Sequence, residues 1–522
     1  MTASINKLEE TASLTSWIIL FNVIATTILA FISSTAIIVA DSSIVGDLGI
    51  EGSIKQWTVI LYLLGANSLI PIGTWLADRF GFKKVFSIGI SLFALGSLIS
   101  GLSFNFFTIS IGRIVEGIGG GLIFPVGLAL ILHNFPKRQL PLVLNLYIGL
   151  GFGVGFGLGA FLGGFFTQFY SWKWIFLVNV PICIISLFII SISQKETEKK
   201  NLGKFDLFGY LTFSMCVCFL IVALTNGNLR STTYGWRSPV IISLIILSVF
   251  FLALSLVIEK LHKNPIIPLK LFKYPIFVIG IFALFSLGMV VFGSVTMVSN
   301  FMEHGLMFQK FTIGSMLVIY GAAIGFFSVL STFLIRSLPI LLVISIGLIL
   351  VIYSNVLNNQ LTFLSDKTMI SVILLIRGMG VGLSLGPINT YALQNVPKEL
   401  SSEAATLLTF FRQVGATYGG SILSIIMIRR EFFYNSIFSE GVTIGNIGLK
   451  ETMRKMSMFL AKEHGGSALA ARLRAQELIK ENVLNQSFIQ AMNDGLIVLA
   501  WILAIVGITM IILNFLKKRS IL

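Results

Sequence analysis

The chain has 522 residues, of which 56% are hydrophobic and only 11% are charged. Soluble proteins carry about a quarter charged residues, so the composition excludes an ordinary soluble domain and predicts an all-α polytopic membrane protein. The formal net charge of +15 could indicate a nucleic-acid partner, but the basic residues lie mainly between apolar runs. Three cysteines in apolar runs and four scattered histidines suggest no disulfide framework, no metal site and no cofactor.

Apolar runs of about 20 residues, each long enough to cross ~30 Å of hydrocarbon, recur along the whole chain. They predict fourteen transmembrane helices, at 16–40, 55–76, 85–104, 107–131, 141–167, 174–193, 207–225, 239–259, 275–299, 312–335, 339–357, 368–393, 403–428 and 489–515. The remaining long polar stretch is 429–488.

Basic residues concentrate in every second gap between these spans, which is the pattern that orients membrane proteins with the positive side inside. The basic gaps hold Arg79, Lys83, Lys84, Lys137, Arg138, Lys195, Lys199, Lys200, Lys204, Lys260, Lys263, Lys270, Lys273, Arg336 and Lys398. The short opposite gaps hold only Lys55, Lys173, Arg230, Arg237, Lys310 and Lys367. We therefore expect cytoplasmic ends at 1–15 and 516–522, an extracytoplasmic segment at 429–488, and no nucleic-acid partner.

Two glycine-rich patterns occur twice at nearly the same separation. GAFLGG at 159–164 returns as GATYGG at 415–420, and the glycine-rich stretch after Arg113 has a counterpart after Arg377. Such internal repeats are frequent in transporters whose halves rock about a central site. We predict two six-helix halves, 16–193 and 275–515, separated by a linker at 194–274 that contains two inserted helices.

The repeated glycines need a physical reason, because glycine inside a helix costs about 1 kcal/mol relative to alanine. Small residues let membrane helices approach closely, and packing alone is one explanation. Their number favours a second explanation, in which the helix also bends and repacks. The glycines concerned are Gly151, Gly153, Gly155, Gly157, Gly159, Gly163 and Gly164 in the fifth span, and Gly415, Gly419 and Gly420 in the thirteenth.

The loop after the second span reads GTWLADRFGFKK, residues 73–84. It resembles the signature loop of the major facilitator superfamily, which acts in that family as a latch between the two halves. Gly73 and Gly81 would permit a tight turn, and Asp78 would lie near the positive end of the third helix. The basic residues that would anchor this loop are Arg79, Lys83 and Lys84.

Further motifs resemble those of the fourteen-span drug:proton antiporters of the EmrB/QacA branch, with EmrB-type members closest. They are WTVILYLLGANSLIPIG (57–73), the glycine-rich fifth span, WKWIFLVNVP (172–181), FRQVGATYGG (411–420) and the segment 464–494. The resemblance implies a proton-coupled antiporter in a bacterial inner membrane that exports drug-like amphiphiles. It also implies a periplasmic adaptor and an outer-membrane channel as partners, with 429–488 either docking the adaptor or capping the cavity.

Four positions depart from that family pattern. Ser33 stands where the first span normally carries an aspartate, and Ala160 replaces a fifth-span proline. Glu116 replaces the glutamine of the fourth-span motif, and the second-half counterpart of the latch loop, 331–339, has no acid.

Glu116 is the one carboxylate that falls clearly in the middle of a predicted span, one helical turn after Arg113. Ionisable residues at that depth are candidates for function. A carboxyl subject to both burial and a neighbouring guanidinium can bind a proton on one side and release it on the other. Glu116 is therefore either the coupling group, replacing the absent first-span acid, or a structural hydrogen-bonding residue. Arg377 and Arg412 in the second half are either structural residues or, for Arg412, a partner for an anionic group or an ion pair.

Three functions remain open at this stage. The first is proton-driven export of drug-like amphiphiles; the second is export of an endogenous metabolite such as a siderophore or fatty acid; the third is an uncoupled facilitator or sensor. No catalytic triad or phosphate-binding loop is present, so we expect no enzyme. A single coupling carboxylate favours neutral, zwitterionic or anionic substrates, because exchanging one proton for a cation leaves the membrane potential unused.

Overall fold

The computed structural model describes residues 12–49, 57–136, 138–196, 205–227, 236–262, 267–397, 400–440, 442, 447–464 and 467–520. Within these ranges all the regular secondary structure is helical. Thirteen of the described helical segments are long and apolar enough to cross a membrane. The all-α polytopic architecture expected from the composition is therefore confirmed.

The first half contains six membrane-length helices. The first four are α1 (Leu14–Leu48), α2 (Trp57–Phe80), α3 (Phe82–Gly101) and α4 (Phe106–Asn134). Helix α5 has three parts, Leu140–Leu146, a π-helical segment Tyr147–Val154, and Gly155–Phe169. Helix α6 has two parts, Trp174–Leu177 and Asn179–Ser193.

The π-helical segment of α5 coincides with alternating glycines at 149, 151 and 153. Residues without a β-carbon impose little preference on the helical winding, so this stretch can adopt the wider turn that π-helices need. Such segments are rare and occur frequently at functional sites. The sequence predicted one span at 141–167 whose glycines let it bend, but not a change to π-helical winding.

The rest of the chain adds nine helices and several short connecting turns. They are α7 (Leu207–Asn226), α8 (Pro239–Leu261), α9 (Pro275–Asn300, continued by a π-helical turn Phe301–Gly305), α10 (Lys310–Ser337), α11 (Ile340–Leu357), α12 (Lys367–Leu393), α13 (Ser401–Glu440), α14 (Ile447–His464) and α15 (Ala468–Ser520).

Helix α13 contains the predicted thirteenth span, 403–428, but it is not among the thirteen helices that meet the length and hydropathy expected of a span. The reason is its polar content. Thr406, Gln413 and Thr417 are buried against other helices, so the polar face of α13 is directed into the protein. The count of fourteen spans therefore stays a prediction.

The two halves repeat the same pairwise packing. Helices α2 and α3 both pack on α4, as α10 and α11 pack on α12; likewise α1 packs on α5, as α9 packs on α13. The halves meet at two equivalent interfaces, where α5 contacts α10 and α13 contacts α2. This arrangement is what two related six-helix units would produce.

Helices α7 and α8, the predicted insertion, pack against each other, and α7 also contacts α13. The Tyr418 hydroxyl on α13 donates to the Val217 carbonyl of α7 at 3.4 Å. Most of α8 is exposed, as expected for a helix that faces lipid. The insertion therefore lies at the edge of the bundle.

The long polar segment predicted at 429–488 is largely helical in the described residues. Helix α13 continues to Glu440, and α15 runs without a break from Ala468 through the last predicted span. Asp494 joins the two helices by an ion pair with Arg430 at 3.0 Å and accepts a hydrogen bond from the Tyr434 hydroxyl at 3.0 Å. Burial and this carboxylate raise the pKa of Tyr434 above its ordinary value.

The start of α15 carries apolar residues at roughly helical spacing, Leu469, Leu473, Ile479 and Val483, which predicts one buried face. The prediction is partly wrong, because the side chains of Leu469 and Leu473 are 68% and 57% exposed. Two alanines of the same stretch are buried instead, because only small side chains fit where α15 contacts its neighbours.

Candidate functional site

A completely buried ion pair lies in the middle of the first half. The Arg113 Nη1 atom is 2.7 Å from Glu116 Oε2, and both side chains are fully buried. Arg113 precedes Glu116 by one turn of α4, so the helix itself brings the two charges together. Burying one charge without the other would be costly, and the pair therefore behaves as one unit.

Two serines complete the hydrogen bonding of the Glu116 carboxylate. Ser33 of α1 donates to Oε1 at 2.5 Å, and Ser97 of α3 donates to the same oxygen at 2.6 Å. The Ser33 hydroxyl also accepts from Arg113 at 2.9 Å, and Ser97 accepts from Asn179 of α6 at 3.3 Å. Because every bond to Glu116 is donated to it, the arrangement fits an ionised carboxylate.

Arg113 extends this network toward the start of α2. Its Nε atom donates to the Thr58 carbonyl at 2.9 Å, and its guanidinium lies 4.4 Å from the centre of the Tyr62 ring. The Thr58 hydroxyl in turn donates to Asp41 at 3.3 Å. A chain of polar groups therefore leads from Glu116 to the C-terminal part of α1.

A cavity of about 340 Å³ lies between the two halves. Its deep end is formed by the aromatic side chains of Phe31, Phe124 and Phe152. Its other end lies where α4 joins α5 and α12 joins α13, and we call this end of the bundle the cavity end. The other lining residues are Thr27, Leu128, Leu132, Leu140, Leu144, Asn145, Tyr147, Ile148, Leu385, Gly386, Asn389, Thr390, Leu393, Gln394, Ser401, Ala405, Thr409 and Arg412.

The opposite end of the bundle, which we call the closed end, is held by polar contacts between the halves. Ser42 of α1 donates to Glu303 at 2.7 Å, and Lys310 of α10 donates to Ser42 at 2.7 Å and also to Ser43. The backbone N–H of Phe311 donates to the Gln168 side chain at 2.9 Å. Asp41 lies beside Ser42, so the polar chain from Glu116 leads toward this closed end.

The fifth-span glycines lie where α5 contacts both halves. A β-carbon on Gly159 would lie 2.8 Å from the Ile32 Cα atom, and one on Gly163 would lie 2.4 Å from the Ala36 carbonyl oxygen, both on α1. Gly155 packs against the same helix. Gly164 faces the other way, toward Lys310 of α10. These glycines allow backbone-to-backbone contact on two sides of one helix.

The thirteenth-span glycines reproduce part of this arrangement. A β-carbon on Gly415 would lie 2.1 Å from the Phe285 carbonyl oxygen, and one on Gly419 would lie 2.5 Å from the Met289 Cα atom, both on α9. A β-carbon on Gly420 would meet no atom within 4 Å. The first two glycines therefore serve close packing, whereas Gly420 has open space beside it.

The structure separates the two second-half arginines. Arg377 is completely buried, and its Nε atom is 3.4 Å from the Ser354 hydroxyl of α11. Arg412 instead lines the cavity, with its guanidinium 5.2 Å from the centre of the Phe152 ring and 6.0 Å from that of Phe31. Arg113 is thus the one buried arginine of the three that has a carboxylate partner among the described residues.

The latch loop differs from its predicted geometry at one glycine. Gly73 does not form the turn, because it lies within α2 and packs against Pro125 of α4. Gly81 alone makes the turn, with φ of +102°, a conformation that favours glycine. Asp78 and Arg79 lie in the last turn of α2. Lys83 donates to the Ser191 carbonyl of α6 at 2.6 Å, and Lys84 is exposed.

Sequence reasoning did not identify Ser97, Thr58 or the role of Asp41. Serine and threonine are common in membrane helices and carry no distinctive pattern, so only the helix packing reveals that they meet Glu116 and Arg113. Asp41 falls just beyond the first predicted span, 16–40, so its position alone does not mark it as an intramembrane acid. The contact between Thr58 and Asp41 links it to the buried pair.

Comparison with known proteins gives a family match over most of the bundle. The sequence profile of the Major Facilitator Superfamily matches residues 23–420. The chain is 28% identical over 404 residues to the multidrug transporter protein MdtP of Bacillus subtilis, covering 76% of this chain and 73% of that protein. It is 26% identical over 380 residues to the multidrug resistance protein Stp of Mycobacterium tuberculosis, covering 71% and 68%.

Two solved structures share the fold. One is the bacterial homologue of the human lysosomal transporter Spinster, in an inward-facing and unoccupied conformation, with a TM-score of 0.57 and 16% identity over 96% of this chain and 98% of that one. The other is the xylose transporter XylE of E. coli in a partially occluded inward-open conformation, with a TM-score of 0.52 and 13% identity over 78% and 91%. At these identities the likeness concerns the fold alone.

Proposed function

Because the chain belongs to the Major Facilitator Superfamily, and is therefore a multi-pass membrane transporter and not an enzyme, we propose that it is a proton-coupled antiporter that exports drug-like amphiphilic molecules. The observation that carries the proposal is the completely buried Glu116 carboxylate, paired with Arg113 and bonded by Ser33. Buried intramembrane acids of this kind commonly belong to proton relays. The multidrug transporters among the relatives support the class of substrate.

The basic gaps between spans support an orientation with both termini and the cavity end in the cytoplasm. In that orientation the cavity takes substrate from the cytoplasm, and the closed end faces outward. The sequence motifs support placement in the fourteen-span EmrB/QacA branch and in the inner membrane of a two-membrane bacterium. The helical extension formed by α14 and the adjoining ends of α13 and α15 would then meet a periplasmic adaptor leading to an outer-membrane channel.

Helix α1 connects the proton site to the cavity. Ser33 contacts Glu116, and Thr27 and Phe31, within two turns on the same helix, line the cavity. Protonating Glu116 removes its charge and weakens its bonds to Arg113 and Ser33. Helix α1 is then free to shift against the glycine face of α5, where the two backbones are in direct contact.

The exchange cycle follows from this link. The ionised pair fits the state seen here, in which the cavity is open to the cytoplasm and ready to take a substrate. After the halves rock, water entering beside Asp41 and Thr58 would carry a proton from outside to Glu116 while the substrate leaves, because the Arg113 guanidinium itself does not give up a proton. The return step would carry that proton inward, so one carboxylate alternates between the two sides.

The test is proton release from inverted vesicles, acid inside, when a panel of amphiphilic drugs is added. The native protein is compared with Glu116→Gln, which carries the residue usual for the branch, and with Glu259→Gln, a control that removes a buried carboxylate of the peripheral helix α8. We expect drug-dependent proton movement in the native protein and the control, and none in Glu116→Gln although drug still binds.

Two other results would change the proposal. If Glu116→Gln couples as well as the native protein, Glu116 is a structural residue and the proton takes another path. If none of the three proteins moves protons, the uncoupled facilitator or sensor replaces the antiporter. Adding a siderophore and a fatty acid to the panel separates export of an endogenous metabolite from export of drugs.

A further inference from the structure

Among the described residues that line the cavity, Arg412 has the single charged side chain. No carboxylate in the described part of the chain pairs with it; its guanidinium lies over the faces of Phe31 and Phe152 and interacts with Tyr147. The two rings are themselves packed edge to face, with centroids 4.7 Å apart. The guanidinium therefore lies at the deep end of the cavity without an acidic partner among the residues that the structure describes.

Of the three mid-span arginines, Arg412 is the one that both lines the cavity and lacks an acidic partner among the described residues. Arg113 is neutralised by Glu116, and Arg377 is fully buried outside the cavity. A guanidinium in a largely apolar site, without a counter-charge, is costly unless a ligand supplies the charge. Guanidinium groups bind carboxylates with two parallel hydrogen bonds, which makes them well suited to such a ligand.

The rest of the cavity indicates the other part of the ligand. Between Arg412 and the cavity end the wall is formed mostly by leucines, among them Leu128, Leu132, Leu140 and Leu144, with a few neutral polar groups such as Asn389. None of the described lining residues is an aspartate or a glutamate. A volume of about 340 Å³ is at the lower end of the range for drug-sized ligands.

We propose that the substrate is an amphiphilic monoanion, whose carboxylate pairs with Arg412 and whose apolar body lies among the leucines toward the cavity end. This inference rests on the proposed transport function and names its substrate class. It also gives a physical reason for a single coupling carboxylate. A proton entering in exchange for a leaving monoanion moves two charges, so the membrane potential acts twice in one cycle.

The experiment measures binding in nanodiscs, without any proton gradient, for three ligands with one aromatic body and different head groups. They are 1-naphthylacetate, the neutral 1-naphthylacetamide, and (1-naphthylmethyl)trimethylammonium. Four proteins are compared: the native chain, Arg412→Gln, Arg412→Lys, and Arg336→Gln, which removes an arginine outside the cavity.

We expect the native protein to prefer naphthylacetate over the cation. Arg412→Gln should weaken naphthylacetate binding by about 10- to 100-fold, the usual effect of losing a charge-assisted hydrogen bond, while naphthylacetamide changes little. Arg412→Lys should keep the preference for the anion over the cation but lose part of the affinity, because an ammonium group cannot form the two parallel hydrogen bonds, and Arg336→Gln should match the native protein. If Arg412→Gln fails to fold, the contrast among the three ligands in the native protein and in Arg412→Lys decides the question.

Two results would overturn the inference. One is a native protein that binds the cation as tightly as the anion, and the other is an equal loss of all three ligands in Arg412→Gln, which would make Arg412 structural. Binding is measured without protons, so this test is separate from the coupling test. If anion binding depends on Arg412 but no protons move, the binding site stands and the antiport proposal fails. If the protein exports cations in exchange for protons, the antiport proposal stands and the anion site fails.

Discussion

The Ser33 hydroxyl lies 2.5 Å from the Glu116 carboxylate, although the two residues are 83 positions apart in the chain. The family pattern that the sequence resembles has an acid at the position of Ser33 and an amide at the position of Glu116. The contact across α1 and α4 contains one carboxylate and one neutral polar group in either case. Relative to that pattern, the carboxylate lies on α4 and not on α1.

This relationship predicts that the acid can be returned to the first span. Glu116→Gln alone should abolish drug-dependent proton movement, and adding Ser33→Asp should restore it, because the new carboxylate lies beside Arg113 in the same buried position. Proton flux in vesicles measures both variants. Ser33→Asn with Glu116→Gln is the matched control without an acid. If Ser33→Asp with Glu116→Gln is folded and binds drug but moves no protons, the acid has to be on α4, and the prediction fails.

The buried ion pair predicts an asymmetric effect on stability. Arg113→Leu should lower the free energy of unfolding by about 3–5 kcal/mol, because it leaves the Glu116 charge buried without a partner. Arg113→Leu combined with Glu116→Leu should recover much of that loss, since no charge remains. Thermal unfolding in detergent measures both. Equal destabilisation by the single and double variants would contradict the view that the pair acts as a unit.

The glycine contacts predict different effects for glycines of the two repeats. Gly163→Ala places a methyl group against the backbone of α1, so it should lower stability by about 1–3 kcal/mol, as overpacking does, and should slow transport. Gly420→Ala, with open space around it, is the matched control and should change neither. Unfolding and single-turnover transport are the measurements. If Gly163→Ala is as mild as the control, close packing of α1 on α5 is unimportant.

The polar contacts at the closed end predict that one substitution shifts the conformational equilibrium of the protein. Lys310→Met removes the ammonium group of α10 that donates to Ser42 and Ser43 of α1 and so links the two halves. Losing a charge-assisted hydrogen bond should raise the population of conformers opened at this end by about tenfold or more. Spin labels at Phe169 and Met307, both exposed, report the distance between the halves. The control Lys173→Met, at the same end of the first half, should leave the distance between the labels unchanged. If Lys310→Met also leaves that distance at the native value, Lys310 has no role in closing this end.

The polar groups beyond Arg113 predict that Asp41 affects the rate of proton-driven exchange and not the affinity for the substrate. Asp41→Asn keeps the size of the side chain but removes the acid next to Thr58, so it should slow proton-driven exchange while ligand binding stays within about twofold of the native value. Asp47→Asn, farther along α1, is the control. Exchange rates that match in the two variants would place proton entry elsewhere.

The sequence was sufficient for the class of fold and for the depth of Glu116, because hydropathy and isolated charges in apolar runs are local properties. It also indicated the two repeats, whose glycines are visible without a structure. It could not distinguish Arg377 from Arg412, since both lie at similar depth in similar helices. That difference depends on which face of each helix meets the cavity, and only the packing determines it.

The partners of Glu116 were hidden for a related reason. Ser97 and Ser33 are ordinary membrane-helix residues until α1, α3 and α4 are placed side by side. The turn role expected of Gly73 was wrong because the helical pattern continues to Phe80, and the turn needs only one glycine with positive φ. The π-helical part of α5 arises from missing side chains, and hydropathy carries no trace of it.

The unbroken helix from Ala468 to Ser520 has 53 residues, so at about 1.5 Å per residue it is about 80 Å long, more than twice the thickness of the hydrocarbon core. Arg430 and Tyr434 tie it to the end of α13 through Asp494. Such a rod acts as a lever. Any tilt of the second half within the bilayer is magnified at its far tip, and a molecule touching that tip would receive a mechanical signal of each transport cycle.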